Sequence, residues 1–184
     1  MMDEETALEL NRAIEEPARA AAEYCQQVIE TDLTVCAPSE DELASTLLTE
    51  HNIVTVATRD EALKLREGVQ YRTQSGAQVQ AVVVWGTYYT NENYGGTAYR
   101  VTGGSVSQCT SAVPPFLFNL SVNDAVDSWY GSNGCAAKFF VDRDGGGAST
   151  TYWNCQPNFG AIGFHDRATS AAISVGTTYR CPAS

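Results

Sequence analysis

Two short stretches concentrate side-chain oxygens: Asn123-Asp124-Ala125-Val126-Asp127-Ser128 and His165-Asp166-Arg167-Ala168-Thr169-Ser170. Each sets several hard oxygen donors within one tight turn, the arrangement that Ca²⁺ requires. Asx residues in such stretches also build turns on their own, and Ser128 and Ser170 are assigned to that structural work, hydrogen-bonding to hold a folded hairpin. Other chemistry finds few parts. The chain has two histidines, His51 and His165, and no serine on a strand-turn-helix elbow, so neither a Ser-His-Asp nor a Cys-His mechanism is recognisable and no enzyme is expected. Two histidines so far apart, beside cysteines expected to be oxidised, give no zinc-ligand spacing.

The oxygen-rich stretches close two copies of one unit. The first copy opens at Tyr89 and passes Tyr94-Gly95-Gly96; the second opens at Phe140 and passes Asp142-Arg143-Asp144 to Gly145-Gly146-Gly147. In each, an aromatic residue, a short polar turn and a glycine able to take positive φ let a β-hairpin fold back over its own sheet. Similar offsets from opening to closing mark an internal duplication.

The pattern aromatic-x4-aromatic-x-Gly, followed by (Asn/Asp)-(Asn/Asp)-x-x-(Ser/Thr)-Ser, resembles the βγ-crystallin superfamily over roughly residues 78–184, including its microbial members of the streptomycete metalloproteinase-inhibitor type. Each copy departs from the pattern. Asp127 stands where the first copy would have Ser or Thr; in the second, His165 replaces the leading Asn or Asp and Gly145 replaces the second aromatic. The resemblance implies a double Greek-key sandwich. It also implies calcium ligands from Asn123, Asp124 and Asp127 in one loop and from Asp166 and Thr169 in the other, with main-chain carbonyls from the Tyr89 and Phe140 hairpin turns.

Six cysteines without a Cys-x-x-Cys point to disulfides and an oxidising compartment. Many pairings are open. Proximity favours Cys25 with Cys36, symmetric flanking of the glycine turn favours Cys135 with Cys155, and Cys109 is left for Cys181. An exported, extracellular chain is expected, its signal peptide outside this sequence. No run of apolar residues is long enough for a membrane span.

Net charge is −11, and its distribution is uneven: residues 1–75 hold 16 acids and 6 bases, residues 76–184 hold 6 and 5. Acidity of this kind excludes a nucleic-acid partner, because phosphate binding needs a basic face. It suits a basic protein partner, as in an extracellular assembly, or solubility alone.

The two compositions define an α-rich acidic region, 1–76, and an all-β region, 77–184, giving an α+β chain with a boundary near Gly76. Helical spacing of Leu10, Ile14, Ala21, Cys25 and Val28 predicts a helix over 17–29, after a separate segment ahead of Pro17. Capping boxes at Ser39-Glu42 and Thr58-Glu61 open helices ending near His51 and Gly68, with a short strand at Ile53–Val56 between them. Strands begin at Val69 and Tyr71, and Val79–Tyr89 is a long one.

These parts describe a non-catalytic binding module, with the acidic region docking a partner as an adaptor. The alternative is a proteinase inhibitor acting through the 109–117 loop, stiffened by Pro114 and Pro115, with Val113, Phe116 and Leu117 offered to a protease cleft.

Overall fold

Asp3 starts the first helix, α1 (Glu4–Arg12), its carboxylate accepting a 2.8 Å hydrogen bond from the Thr6 amide. The strands β1 (Glu23–Val28) and β2 (Leu33–Ala37) follow as an antiparallel hairpin with Cys25 opposite Cys36. Ser39 caps α2 (Glu40–His51) by accepting from the Glu42 amide, and Asn52 ends it in the left-handed conformation. After β3 (Ile53–Val56), α3 (Arg59–Gly68) opens with the reciprocal box: the Thr58 amide donates to Glu61 at 3.1 Å and the Glu61 amide to Thr58 at 3.2 Å. This computed structural model describes every residue except 1, 16–20, 69–71, 74, 106, 178–180 and 182–184.

One expected helix is instead a strand. Residues 23–28, placed by their spacing in a helix over 17–29, form β1, which is hydrogen-bonded on both edges: antiparallel to β2 and parallel to the strand at Gly95–Gly103. Five of its six residues are buried, so both faces are covered, and a strand buried on both faces has no alternating pattern to betray it. The strand expected at Val69 and Tyr71 lies outside the described residues.

The remaining strands are β4 (Gln80–Asn91), β5 (Gly95–Gly103), β6 (Phe116–Asn119), β7 (Ser128–Gly131), β8 (Cys135–Phe140), β9 (Cys155–Gln156) and β10 (Ser170–Val175). The larger sheet runs β2-β1-β5-β4-β7-β9, with β3 parallel to the first part of β4; the smaller runs β6-β10-β8. Each half is a Greek key whose third strand has changed sheets. After the β4–β5 hairpin, β6 crosses to pair with β10, and β7 returns beside β4. After β8 and its return at Ser149 and Trp153, β9 crosses to pair with β7, and β10 returns beside β8. Mutual exchange of third strands makes each sheet depend on both halves.

Between the sheets lies a core of Trp85, Tyr88, Val101, Trp129, Phe139, Phe159, Ala171 and Ile173. The backbone at Gly86 passes directly over the Trp129 ring: a Cβ there would sit 2.1 Å from it. The other face of the large sheet has its own core, where Leu43 and Leu47 of α2 pack with Tyr24, Val28, Val82, Tyr89 and Ala98. The fold is therefore α+β, with helices on the outer face of a sheet whose inner face belongs to the sandwich. Gly76 (φ +87°) sits in a turn, and strands from both sides of it share the large sheet.

Cys25 pairs with Cys36 as expected, but Cys109 pairs with Cys135, correcting both other expected bonds. The symmetric placement of Cys135 and Cys155 about the glycine turn misleads because the return strand leaves its hairpin after Trp153. It joins β7 and carries Cys155 opposite Tyr130. Cys135 instead looks into the core, where Cys109 is also buried.

Candidate cation site

The two hairpins fold alike. In the first, Asn93 and Tyr94 have φ of 55° and 63° and Gly96 has 75°; in the second, Asp144 has 55°, Gly145 77° and Gly147 72°. Gly145 accordingly stands in for an aromatic at a position needing left-handed backbone, where glycine is unstrained. The closing serines lock the turns. Ser128 Oγ donates to the Asn91 carbonyl at 2.7 Å and accepts from the Tyr94 amide at 3.0 Å; Ser170 Oγ donates to the Asp142 carbonyl at 2.6 Å and accepts from the Gly145 amide at 3.0 Å.

The oxygen donors are brought together across the loops, in place of the expected grouping within each loop. Thr169 Oγ1 lies 2.9 Å from Asn123 Oδ1 and 3.3 Å from Asp124 Oδ1, while the Asp124 amide donates to the Ala168 carbonyl. Asp127 turns the other way. Its Oδ1 meets His165 Nδ1 at 2.5 Å and the Asp166 amide at 3.2 Å, and His165 Nε2 is 3.3 Å from Asp166 Oδ2. The fifth residue of each stretch thus faces the first two of the other. Strand exchange is the cause, since it lays the two closings side by side. At the start of each hairpin, the Tyr89 and Phe140 carbonyls accept from the Asp127 and Thr169 amides at 2.9 Å.

The two clusters differ in chemistry. Asn123, Asp124 and Thr169 each bring a side-chain oxygen and no ring nitrogen; Asp124 is held at φ 50°, and its Oδ2 accepts from the Asn123 side-chain amide nitrogen at 2.8 Å. The other cluster contains an imidazole. The Asp127 side chain is 6% exposed, and its hydrogen bond, then its charge, raise the His165 pKa above the ordinary value; Asp166 and Glu92 add to this while desolvation opposes it. The shift favours the protonated imidazole, whose charge then lies beside two carboxylates. The departures at Asp127 and His165 are partners, a relation invisible until the loops are known to cross.

The segment expected to enter a protease is tied down. Phe116 and Leu117 belong to β6 and not to a loop; Phe116 packs edge-on to Trp85, and Leu117 covers Gly145. Cys109 is bridged to Cys135, and Arg59 donates to the carbonyls of Gln108, Cys109 and Asn133. Val113 is half-buried, its amide donating to the Thr110 carbonyl. Arg59 went unnoticed in the sequence, where it reads as a surface residue in a first helical turn.

Exchanged third strands and serine-locked folded hairpins define a βγ-crystallin-like double Greek key. No protein-family model matches the chain, and no curated protein does. Among solved structures it is similar to a βγ-crystallin domain from Clostridium beijerinckii, at 23% identity and a TM-score of 0.37 over 49% of this chain and 97% of that one. It is also similar to a βγ-crystallin domain from Flavobacterium johnsoniae, at 21% identity and a TM-score of 0.37 over 50% of this chain and 97% of that one.

Proposed function

We propose that the chain is an exported, non-catalytic binding module that takes one Ca²⁺ at the Asn123, Asp124 and Thr169 cluster. The observation that carries this reading is the convergence of those three oxygen-bearing side chains from two different loops. Hard oxygens, one of them a carboxylate on a fixed turn, are the donor set Ca²⁺ selects. A single carboxylate implies weak affinity, in the range of extracellular modules, about 10⁻⁴ to 10⁻³ M. The second cluster does not fit the same ion, because the His165 ring engages the Asp127 oxygen that a cation would need. Of the five ligands expected from the sequence, Asp127 and Asp166 are therefore assigned to an ion-paired cluster. Export is supported by the two disulfides, which persist in oxidising compartments.

Among the described residues both His165 ring nitrogens are engaged by carboxylates, Nδ1 by Asp127 and Nε2 by Asp166, and no hydroxyl or thiol pairs with the ring as a nucleophile would. Neither an adaptor nor an inhibitor role gains a specific support. Part of the acidic surface is engaged internally, Asp41 by an ion pair with Arg12 at 2.9 Å and Glu4 by a hydrogen bond from the Ser45 hydroxyl at 2.6 Å, and the 109–117 segment is pinned as described.

Calcium titration followed by calorimetry and thermal melting tests the reading. At about 100-fold excess over Kd, a ligand confined to the folded state adds about 2.7 kcal/mol of stability. Asp124→Ala is expected to abolish the shift, and His165→Asp to raise the stoichiometry from one ion to two. Absence of heat and of any melting shift at about 10 mM Ca²⁺ would rule the site out.

A further inference from the structure

Two cysteines are unbonded, Cys155 buried on β9 and Cys181 half-buried near the C-terminus. The chain brings them together through Asn154. Beyond β10 the Gly176 amide donates to the Gly134 carbonyl at 2.7 Å, turning the chain back across the start of β8. Asn154 then clamps Thr177: its Oδ1 accepts from the Thr177 amide at 3.0 Å and the Thr177 hydroxyl at 3.1 Å, and its Nδ2 donates to the Thr177 carbonyl at 3.2 Å. Farther along, Cys181 Sγ donates to the Asn154 main-chain carbonyl at 3.1 Å, one residue from Cys155.

We propose that Cys155 and Cys181 form a third disulfide, which fastens the C-terminal segment onto β9. The inference is independent of the cation reading. Besides the clamp, two observations support it. The other four cysteines are already paired, so an environment that oxidises them also reaches this pair. The Cys181 thiol sits on the Asn154 carbonyl, next to Cys155 in the chain, and burial, then a hydrogen bond and charge from Cys155, push it up to about 12.

The oxidant is a donor disulfide, either a protein disulfide oxidoreductase or a small-molecule disulfide. Half-buried Cys181 reacts first. Its thiolate attacks one donor sulfur, forming a mixed disulfide and expelling a donor thiolate; the Cys155 thiolate then attacks Cys181 Sγ and expels the second. The chain loses two electrons and two protons, and the donor leaves as two thiols. A thiol that ionises reluctantly is a slow attacker and a poor leaving group, so the bond, once formed, resists reduction. It is a structural latch and not a redox switch.

The test uses full-length protein exported to an oxidising compartment, denatured in the presence of an alkylating agent, and digested without reductant for mass mapping. The expected product joins the Cys155 and Cys181 peptides, with no alkylated cysteine. Protein carrying the Cys25–Cys36 and Cys109–Cys135 bonds with both Cys155 and Cys181 alkylated would overturn the proposal, as would either cysteine bonded elsewhere. Melting of Cys155→Ser, Cys181→Ser and the double variant gives a second readout. If the bond exists, each single variant loses nearly as much thermal stability as the double; additive losses contradict it.

Discussion

At the scale of single residues, the most informative pair is Asp127 and His165. Each looks like damage when the two stretches are read separately, an acid replacing a hydroxyl and an imidazole replacing an Asx. Placed 2.5 Å apart, they are complementary. His165 is expected to titrate above 6.5 in proton NMR and to fall back toward that value in Asp127→Asn. Because the pKa is raised on folding, the contribution of this pair to stability is fully present below the unfolded value. It is lost as pH rises through the folded value. A midpoint at or below 6.5 in the parent protein would remove the pairing. The residue types of the candidate site were legible from sequence; their grouping was not, because side chains assigned loop by loop come together only after β6 and β9 exchange sheets.

At the scale of elements, the closing serines decide whether the hairpins fold. Ser128 and Ser170 are fully buried, and each satisfies one main-chain carbonyl and one amide in its hairpin turn. Alanine at either position leaves those groups without the hydroxyl, at a cost of about 1 to 3 kcal/mol for a buried polar group left unpaired. The two sites share no partner, so urea denaturation of Ser128→Ala, Ser170→Ala and the double variant should give nearly additive losses. A loss below about 0.5 kcal/mol for both single variants would show that the turns hold themselves. Elements with local signals were readable: the capping boxes at Ser39 and Thr58 open helices where expected. The strand β1 was not, because its identity comes from partners far along the chain. Cys25 and Val28 have spacing that suits a helix, yet they are buried by β2 on one edge and β5 on the other.

At the scale of the whole molecule, charge suggests a division that hydrogen bonding crosses. The acidic residues do concentrate before Gly76, but the same stretch supplies β1 and β3 to the large sheet and α2 to its outer face. A shift in composition is local and visible, whereas parallel pairing of Glu23–Val28 with Thr97–Thr102 leaves no local trace. The consequence concerns a chain beginning at Gly76. It would retain both Greek keys but lose the partner of one edge of β5, and unpaired strand edges template association. It would also uncover Val82, Tyr89 and Ala98 on the face that Leu43 and Leu47 cover, where each large apolar side chain returned to water costs about 1.5 to 3 kcal/mol. Tyr88, fully buried, would lose its 2.9 Å hydrogen bond to Gln27. Such a chain is expected to self-associate, bind a hydrophobic dye and melt well below the full-length protein. Sedimentation together with thermal melting reads all of this directly, and a soluble monomer melting at the full-length temperature would show that the two Greek keys are self-sufficient and that the N-terminal strands are an accessory to them.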